Sequence, residues 1–249
     1  MAEQFAAAQV LAEGWSASEV LGWAFNLYGG DIAIASAFGP EGIVIIDLAS
    51  QISPRPKVFT LDTGFLFPET HELIDRVERH YQIRVERVYP ELSSEEQVSL
   101  YGPALWSRDP DQCCRLRKVQ PLTKKLSELR AWVTGIRREQ TPSRALARKV
   151  EWDAKFGLIK VNPLVDWTMQ AVWDHIRRSQ LPYNRLHERN YPSIGCVHCT
   201  RAVNPGEPPR GGRWPGFEKV ECGLHNLSWH GKDPAGTGDL LPEIPKPPT

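Results

Sequence analysis

The sequence is short of net charge, of long apolar runs and of cysteine in its N-terminal part. Its 249 residues carry 30 basic and 30 acidic side chains. There is therefore no bulk attraction to nucleic acid or anionic lipid, and any bound anion has to be met by a local cluster of Arg and Lys. The longest apolar runs, such as residues 43–48, fall far short of the roughly 20 residues needed to span a membrane. The start, Met1-Ala2-Glu3-Gln4-Phe5, lacks the basic opening of a secretion signal. These absences set the expectation of a cytoplasmic protein with neither membrane nor nucleic acid as a partner. No internal repeat is found. What remains is ordinary for a globular chain, with 41% hydrophobic and 24% charged residues.

No cysteine precedes Cys113, and the five then come as an adjacent pair, a C-x-x-C and a singleton. A secreted disulfide framework normally has an even count in a smaller chain. Cys113-Cys114 with Cys196-Val197-His198-Cys199 instead supplies four thiolates, the number that holds a 4Fe–4S cluster or one zinc. An adjacent pair suits the two C-x-x-C knuckles of a zinc ribbon badly, and His198 reads as a spacer between ligands. That leaves Cys222, in Glu221-Cys222-Gly223-Leu224-His225, as the thiol free to react. A thiol becomes a nucleophile near neutral pH when cations lower its pKa. His225 and the loop carrying Arg210 and Arg213 are expected to supply that positive field.

Strands alternate with helices from residue 31 onward. Residues 2–13 and 16–28 read as amphipathic helices, the second opening on a capping box, Ser16-x-x-Glu19, and ending at Gly29-Gly30. Residues 31–37, 57–61 and 83–88 read as strands, with helices over 41–49 and from Pro68 to about residue 81. A further strand is expected at 131–134, and residues 160–163 lead into a helix capped by Thr168. This order argues for βαβ units and a mostly parallel sheet flanked by helices. Ligands then bind where strand C-terminal ends feed into loops, here residues 36–42 and 62–64. The Ser36 to Gly42 turn offers backbone N–H groups at a helix N-terminus, suited to phosphate. From Pro182 onward Pro, Gly and Arg replace periodicity. A single domain is expected over 1–230, followed by a flexible tail over 231–249, which holds five prolines and three glycines.

Basic residues cluster at Arg115, Arg117 and Lys118, at Arg137, Arg138 and Arg144, and at Arg210 and Arg213. In Arg210-Gly211-Gly212-Arg213 the glycines keep the backbone open around two guanidiniums, each able to grip a phosphate or sulfate edge.

Together these segments resemble the phosphosulfate reductase family, specifically its cluster-containing adenylyl sulfate reductase branch. The likeness runs through Phe38-Gly39-Pro40-Glu41, Leu61-Asp62-Thr63-Gly64, Cys113-Cys114-Arg115-Leu116-Arg117-Lys118 and Thr134-Gly135-Ile136-Arg137-Arg138. It continues through Gly195-Cys196-Val197-His198-Cys199, Gly212-Arg213-Trp214 and Glu221-Cys222-Gly223-Leu224-His225. The resemblance implies an adenine nucleotide α-hydrolase-like fold with an Arg/Gly-rich C-terminal active-site segment. By similarity Cys113, Cys114, Cys196 and Cys199 hold a 4Fe–4S cluster, and Lys118 sits between it and the phosphosulfate. Arg210 and Arg213 grip that group, Leu61, Thr63, Gly64 and Gly135 line the nucleotide site, and Cys222 is the nucleophile. Ser36 and Arg137 join the expected substrate contacts from the turn and the basic cluster described above.

The expected reaction is reduction of adenosine 5′-phosphosulfate in sulfate assimilation, with a separate thioredoxin as reductant. A homo-oligomer is left open. The near alternative is the same reaction on the 3′-phosphorylated nucleotide, and a zinc-binding interaction module is another. A tRNA-thiolating enzyme is a remote one, since it calls for a Gly-rich ATP loop of a kind absent here and for a basic surface.

Overall fold

Short runs with helices between them build the sheet, and the apolar central ones are buried on both faces. The computed structural model describes residues 2–219 and 221–225; the expected tail over 231–249 and the domain end at 230 lie outside them. Helix α1 (Ala2–Leu11) closes in a 3₁₀ turn at Ala12–Gly14, and α2 spans Ala17–Tyr28. The capping box that opens α2 is formed, with Glu19 N–H donating to Ser16 Oγ and Ser16 N–H to Glu19 Oε2. There follow β1 (Ile32–Ala35), α3 (Pro40–Ile52), β2 (Val58–Leu61), α4 (Pro68–Tyr81) and β3 (Val85–Val88). Between β3 and β4 (Ala131–Val133) lie α5 (Ser94–Tyr101), α6 (Pro110–Cys114) and α7 (Gln120–Leu126). Strands β5 (Val150–Asp153) and β6 (Leu158–Val161) and helix α8 (Met169–Arg178) complete the elements.

The six strands lie in the order β3-β2-β1-β4-β6-β5. All neighbours pair in parallel except β5, which is antiparallel to β6 at one edge. Alternation along the strands divides the core. Ile32 and Ile34 face a cluster shared with α2, α3, α4 and α8, while Ala33, Phe59 and Trp132 face Leu122 and Leu126 of α7. Helices thus cover both faces, as a sheet apolar on both sides requires. The mostly parallel sheet flanked by helices that the sequence predicts is the one observed.

The strand order reverses between β1 and β4. At such a switch point the loops leaving the two strands diverge and open a crevice at their C-terminal ends. Residues 36–39 and 134–137 form its rim.

Candidate functional site

The crevice opens into a cleft of about 1480 Å³. On its floor the turn after β1 is shaped by Ser36, whose Oγ accepts the Phe38 N–H at 3.1 Å while Phe38 takes a left-handed φ of 56°. Gly39 caps α3 without a side-chain bond. Pro40 at the first helical position has no N–H to offer, so the Glu41 and Gly42 amides head the helix. Gly42 is required by packing: a Cβ there would lie 2.3 Å from Ser36 Oγ.

The loop after β4 is bound to this turn. Arg137, fully buried, donates from Nε to Glu41 Oε1 at 2.9 Å and pairs with Glu139. Gln140 Nε2 also donates to Glu41 Oε1, at 2.8 Å. Arg137 therefore lines the cleft with its guanidinium already engaged, and its contribution is to tie the two rims together.

The four paired cysteines meet beside the cleft. Cys113 and Cys114 end α6, and a π-helical stretch, Arg115–Val119, joins α6 to α7. The widened turn falls just before Pro121, whose ring would strike the Arg117 carbonyl in a regular α-helix. Arg117 faces inward. It donates from Nη1 to the Thr63 carbonyl at 2.8 Å and from Nε to Gln97 Oε1 at 2.7 Å, and stacks over Phe65 at 4.4 Å. Lys118, one residue on, lines the cleft.

Cys196 is held against the loop after β2. Thr63 Oγ1 lies 3.4 Å from its Sγ, and Val197 N–H donates to the Phe65 carbonyl at 2.8 Å. All four cysteines are buried and unbridged, around a small cavity also lined by Phe65, Trp106 and His198. His198 stacks on Trp106 at 3.9 Å, in keeping with a spacer. Burial first, then the neighbouring thiols, pushes Cys113 up to about 12 and Cys199 up to about 11. Thiols gathered in this way resist ionisation unless a cation joins them.

The Arg/Gly segment is stitched to the C-x-x-C segment. Trp214 N–H donates to the Cys199 carbonyl at 3.0 Å and Arg201 N–H to the Gly212 carbonyl at 2.9 Å. Gly212 is needed there, since a Cβ would lie 2.2 Å from the Arg201 carbonyl oxygen. Arg213 stacks over Trp214 at 4.5 Å and donates to Ser193 Oγ at 3.2 Å. Arg210 reaches the same hydroxyl and lies 3.6 Å from Glu221 Oε2.

Cys222, half-buried, lines the cleft with Lys118, Arg210 and Arg213 and packs against the Cys114, Cys196, Cys199 and Trp214 cluster. Burial raises its pKa, but Lys118, the Leu224 N–H and Arg213 outweigh burial, and the net shift is downward. Lys118 moves the other way. Burial acts to lower it, and the Cys196, Cys114 and Cys222 thiolates more than reverse that, so it stays charged.

His225 corrects the expectation from sequence. Burial and the cations Arg144, Lys160, Lys155 and Arg210 hold it well below the ordinary histidine value, and it stacks on Trp132 at 5.6 Å. A neutral imidazole supplies no positive field; Lys118 and Arg213 supply it instead.

Of the residues singled out from the sequence, Ser36, Leu61, Thr63, Lys118, Gly135, Arg137, Arg210, Arg213 and Cys222 line one cleft. Gly64 does not: it is exposed, takes a φ of 73°, and donates its N–H to Asp62 Oδ1 at 3.0 Å, shaping the turn that presents Thr63. Lys155 was missed, and Glu221 and Arg144, noted only as a motif letter and a member of a basic cluster, were given no role. Each acts through a partner distant in sequence, so no local pattern shows what it does.

Comparison with known proteins gives the chain's relatives. The chain is 49% identical over 208 residues to adenosine 5′-phosphosulfate reductase of Halalkalibacterium halodurans, covering 83% of this chain and 90% of the relative. It superposes on phosphoadenylyl-sulfate reductase from Candida auris, in a phosphate complex, with a TM-score of 0.69 and 30% identity. That match covers 80% of this chain and 97% of the other. FMN adenylyltransferase of Candida glabrata superposes with a TM-score of 0.54 at 15% identity, covering 82% and 74%, which extends the likeness of fold to adenine-nucleotide enzymes. Residues 31–202, which take in both rims of the switch-point cleft and the C-x-x-C pair, match the phosphoadenosine phosphosulfate reductase domain, and the chain belongs to that family.

Proposed function

We propose that the chain reduces adenosine 5′-phosphosulfate to sulfite and AMP, with Cys222 as nucleophile and thioredoxin as the source of electrons. The observation that carries this reading is Cys222 in the switch-point cleft, its thiolate favoured by Lys118 and Arg213. The nucleotide enters the crevice between β1 and β4, the sulfate end directed to the cations around Cys222.

The Cys222 thiolate attacks the substrate sulfur, the sulfur–oxygen bond to AMP breaks, and AMP leaves with the bonding pair. Cys222 then carries a sulfonate on Sγ. A thioredoxin thiolate attacks that Sγ, the Sγ–S bond breaks and sulfite departs with its bonding pair; the second thioredoxin thiol then resolves the mixed disulfide, freeing Cys222 and leaving thioredoxin oxidised. Two electrons pass from the dithiol to the sulfur. Arg210, Arg213 and Lys118 hold and neutralise the anion, each such contact worth on the order of 10²-fold in rate.

Cys113, Cys114, Cys196 and Cys199 fit a 4Fe–4S cluster. They are four free, buried thiols around a common cavity, the donor set and number that such a cluster takes. When bound, the cluster would supply a field beside Lys118.

Among the described residues no helix is long and apolar enough to cross a membrane, and five unpaired thiols suit a reducing compartment such as the cytoplasm. The test is sulfite release from adenosine 5′-phosphosulfate and from its 3′-phosphorylated form, with thioredoxin, on anaerobically purified protein assayed for iron and sulfide. Four irons per chain and faster turnover of the unphosphorylated nucleotide are expected. Stoichiometric zinc would overturn the cluster, and sulfite from neither nucleotide would overturn the reaction.

A further inference from the structure

The nucleophile sits on a segment that no regular element supports: Glu221 to His225 form neither helix nor strand. Something else must fix Cys222 against Lys118 and Arg213. On one side of it the Glu221 carboxylate is buried and accepts from Arg144 Nη2 at 2.8 Å and from Thr141 Oγ1 at 3.1 Å. On the other, the Gly223 carbonyl accepts from Lys155 Nζ. Arg144 and Thr141 stand on the loop after β4, and Lys155 on the turn of the antiparallel β5–β6 hairpin. These two attachments grip the residues immediately before and after Cys222. Adjacent Cα atoms are fixed about 3.8 Å apart, so pinning both neighbours leaves the cysteine little freedom.

We propose that Glu221 is the positioning residue of the nucleophile, clamping Cys222 in the cleft through Arg144 and Thr141, with Lys155 closing the clamp from the β5–β6 hairpin. This rests on the assignment of Cys222 above. A bland alternative makes Glu221 a counterion that offsets Arg144 and Arg210. A counterion needs no bond to an uncharged partner, yet the carboxylate also accepts from Thr141 Oγ1. Its benefit to the nucleophile is geometric.

The experiment uses anaerobically purified holoenzyme and the variants Glu221→Ala, Glu221→Gln, Arg144→Met and the Glu221→Gln/Arg144→Met pair. Misplacing a nucleophile by about 1 Å costs on the order of 10²-fold; Glu221→Ala is expected to lower kcat by that order while KM stays near the parent value. A second readout needs no substrate: the rate at which iodoacetamide alkylates Cys222, followed on its own peptide by mass spectrometry. It is compared on the high-pH plateau, where the thiol is fully ionised and only its accessibility differs. Glu221→Ala is expected to alkylate several-fold faster than the parent, with Glu221→Gln between them. The paired variant is expected to cost no more than the worse single one, as for groups sharing one interaction.

An unchanged plateau rate in Glu221→Ala, or costs that simply add in the pair, would overturn the clamp. Should Glu221→Ala fail to fold, Thr141→Val removes a single bond of the same clamp and must shift the plateau in the same direction. If the parent released no sulfite the reaction would be lost, and the alkylation plateau would still decide the clamp.

Discussion

Five cysteines share one corner of this molecule, yet they divide into two chemical kinds. Cys113 is pushed up to about 12 and Cys199 up to about 11, by burial and by one another. Cys222 packs against the same cluster and moves downward, because Lys118, the Leu224 N–H and Arg213 face it. Burial acts in the same direction on all three, so burial does not distinguish a ligand from a nucleophile. What distinguishes them is the balance of company: other thiols outweigh cations around Cys113 and Cys199, and cations outweigh burial at Cys222. Lys118 stands between the two groups, drawing charge from Cys196, Cys114 and Cys222 alike.

The comparison can be broken most sharply by exchanging members. Cys222→Ser is expected to abolish sulfite release while iron and sulfide stay stoichiometric. Cys199→Ser is expected to lose iron, measured on the purified protein. Appreciable turnover by Cys222→Ser, or full iron retention by Cys199→Ser, would erase the division.

Lys118→Met removes the cation that favours the Cys222 thiolate. Its rate is expected to fall on the order of 10²-fold, and the pH profile of Cys222 alkylation should move to higher pH. His225→Phe is a control on the source of the field. A histidine already held neutral contributes no charge, so that variant should leave the alkylation inflection in place.

The smallest effect concerns stability. Burial holds His187, His198 and His225 below their ordinary value of 6.5, so the unfolded chain binds more protons than the folded one as pH falls through that value. Stability should therefore decline with acidification below about pH 6.5, checked by denaturant midpoints of the cluster-free protein at pH 7.5 and 5.5. A midpoint that rises on acidification would contradict the three shifts.

The central strands were legible because they are short apolar runs with helix signals between them. The Ser16 capping box, Pro68 at the start of α4 and Thr168 before α8 marked helix starts correctly. The stretch from Val88 to Ala131 was not legible. Its helices are short and pass through a π stretch, so no 3.6-residue period survives long enough to read. Strand β5 has two charged residues among its four and an exposed edge, which hides it as a loop.

In the site, the cysteines and the basic loops announced themselves by spacing. His225 did not behave as its residue type suggests, because a buried imidazole among four cations loses its proton. Glu221 was visible as the first letter of a motif but not in its role, since its partner Arg144 lies 77 residues away in sequence and only folding shows the two together.

The most direct test of the proposed reaction is a mass spectrum of the protein after incubation with adenosine 5′-phosphosulfate in the absence of any reductant. The account predicts one sulfonate group on the Cys222 peptide, released as sulfite when thioredoxin is added. A sulfonate on any other residue, or sulfite formed with Cys222 never modified, would contradict it.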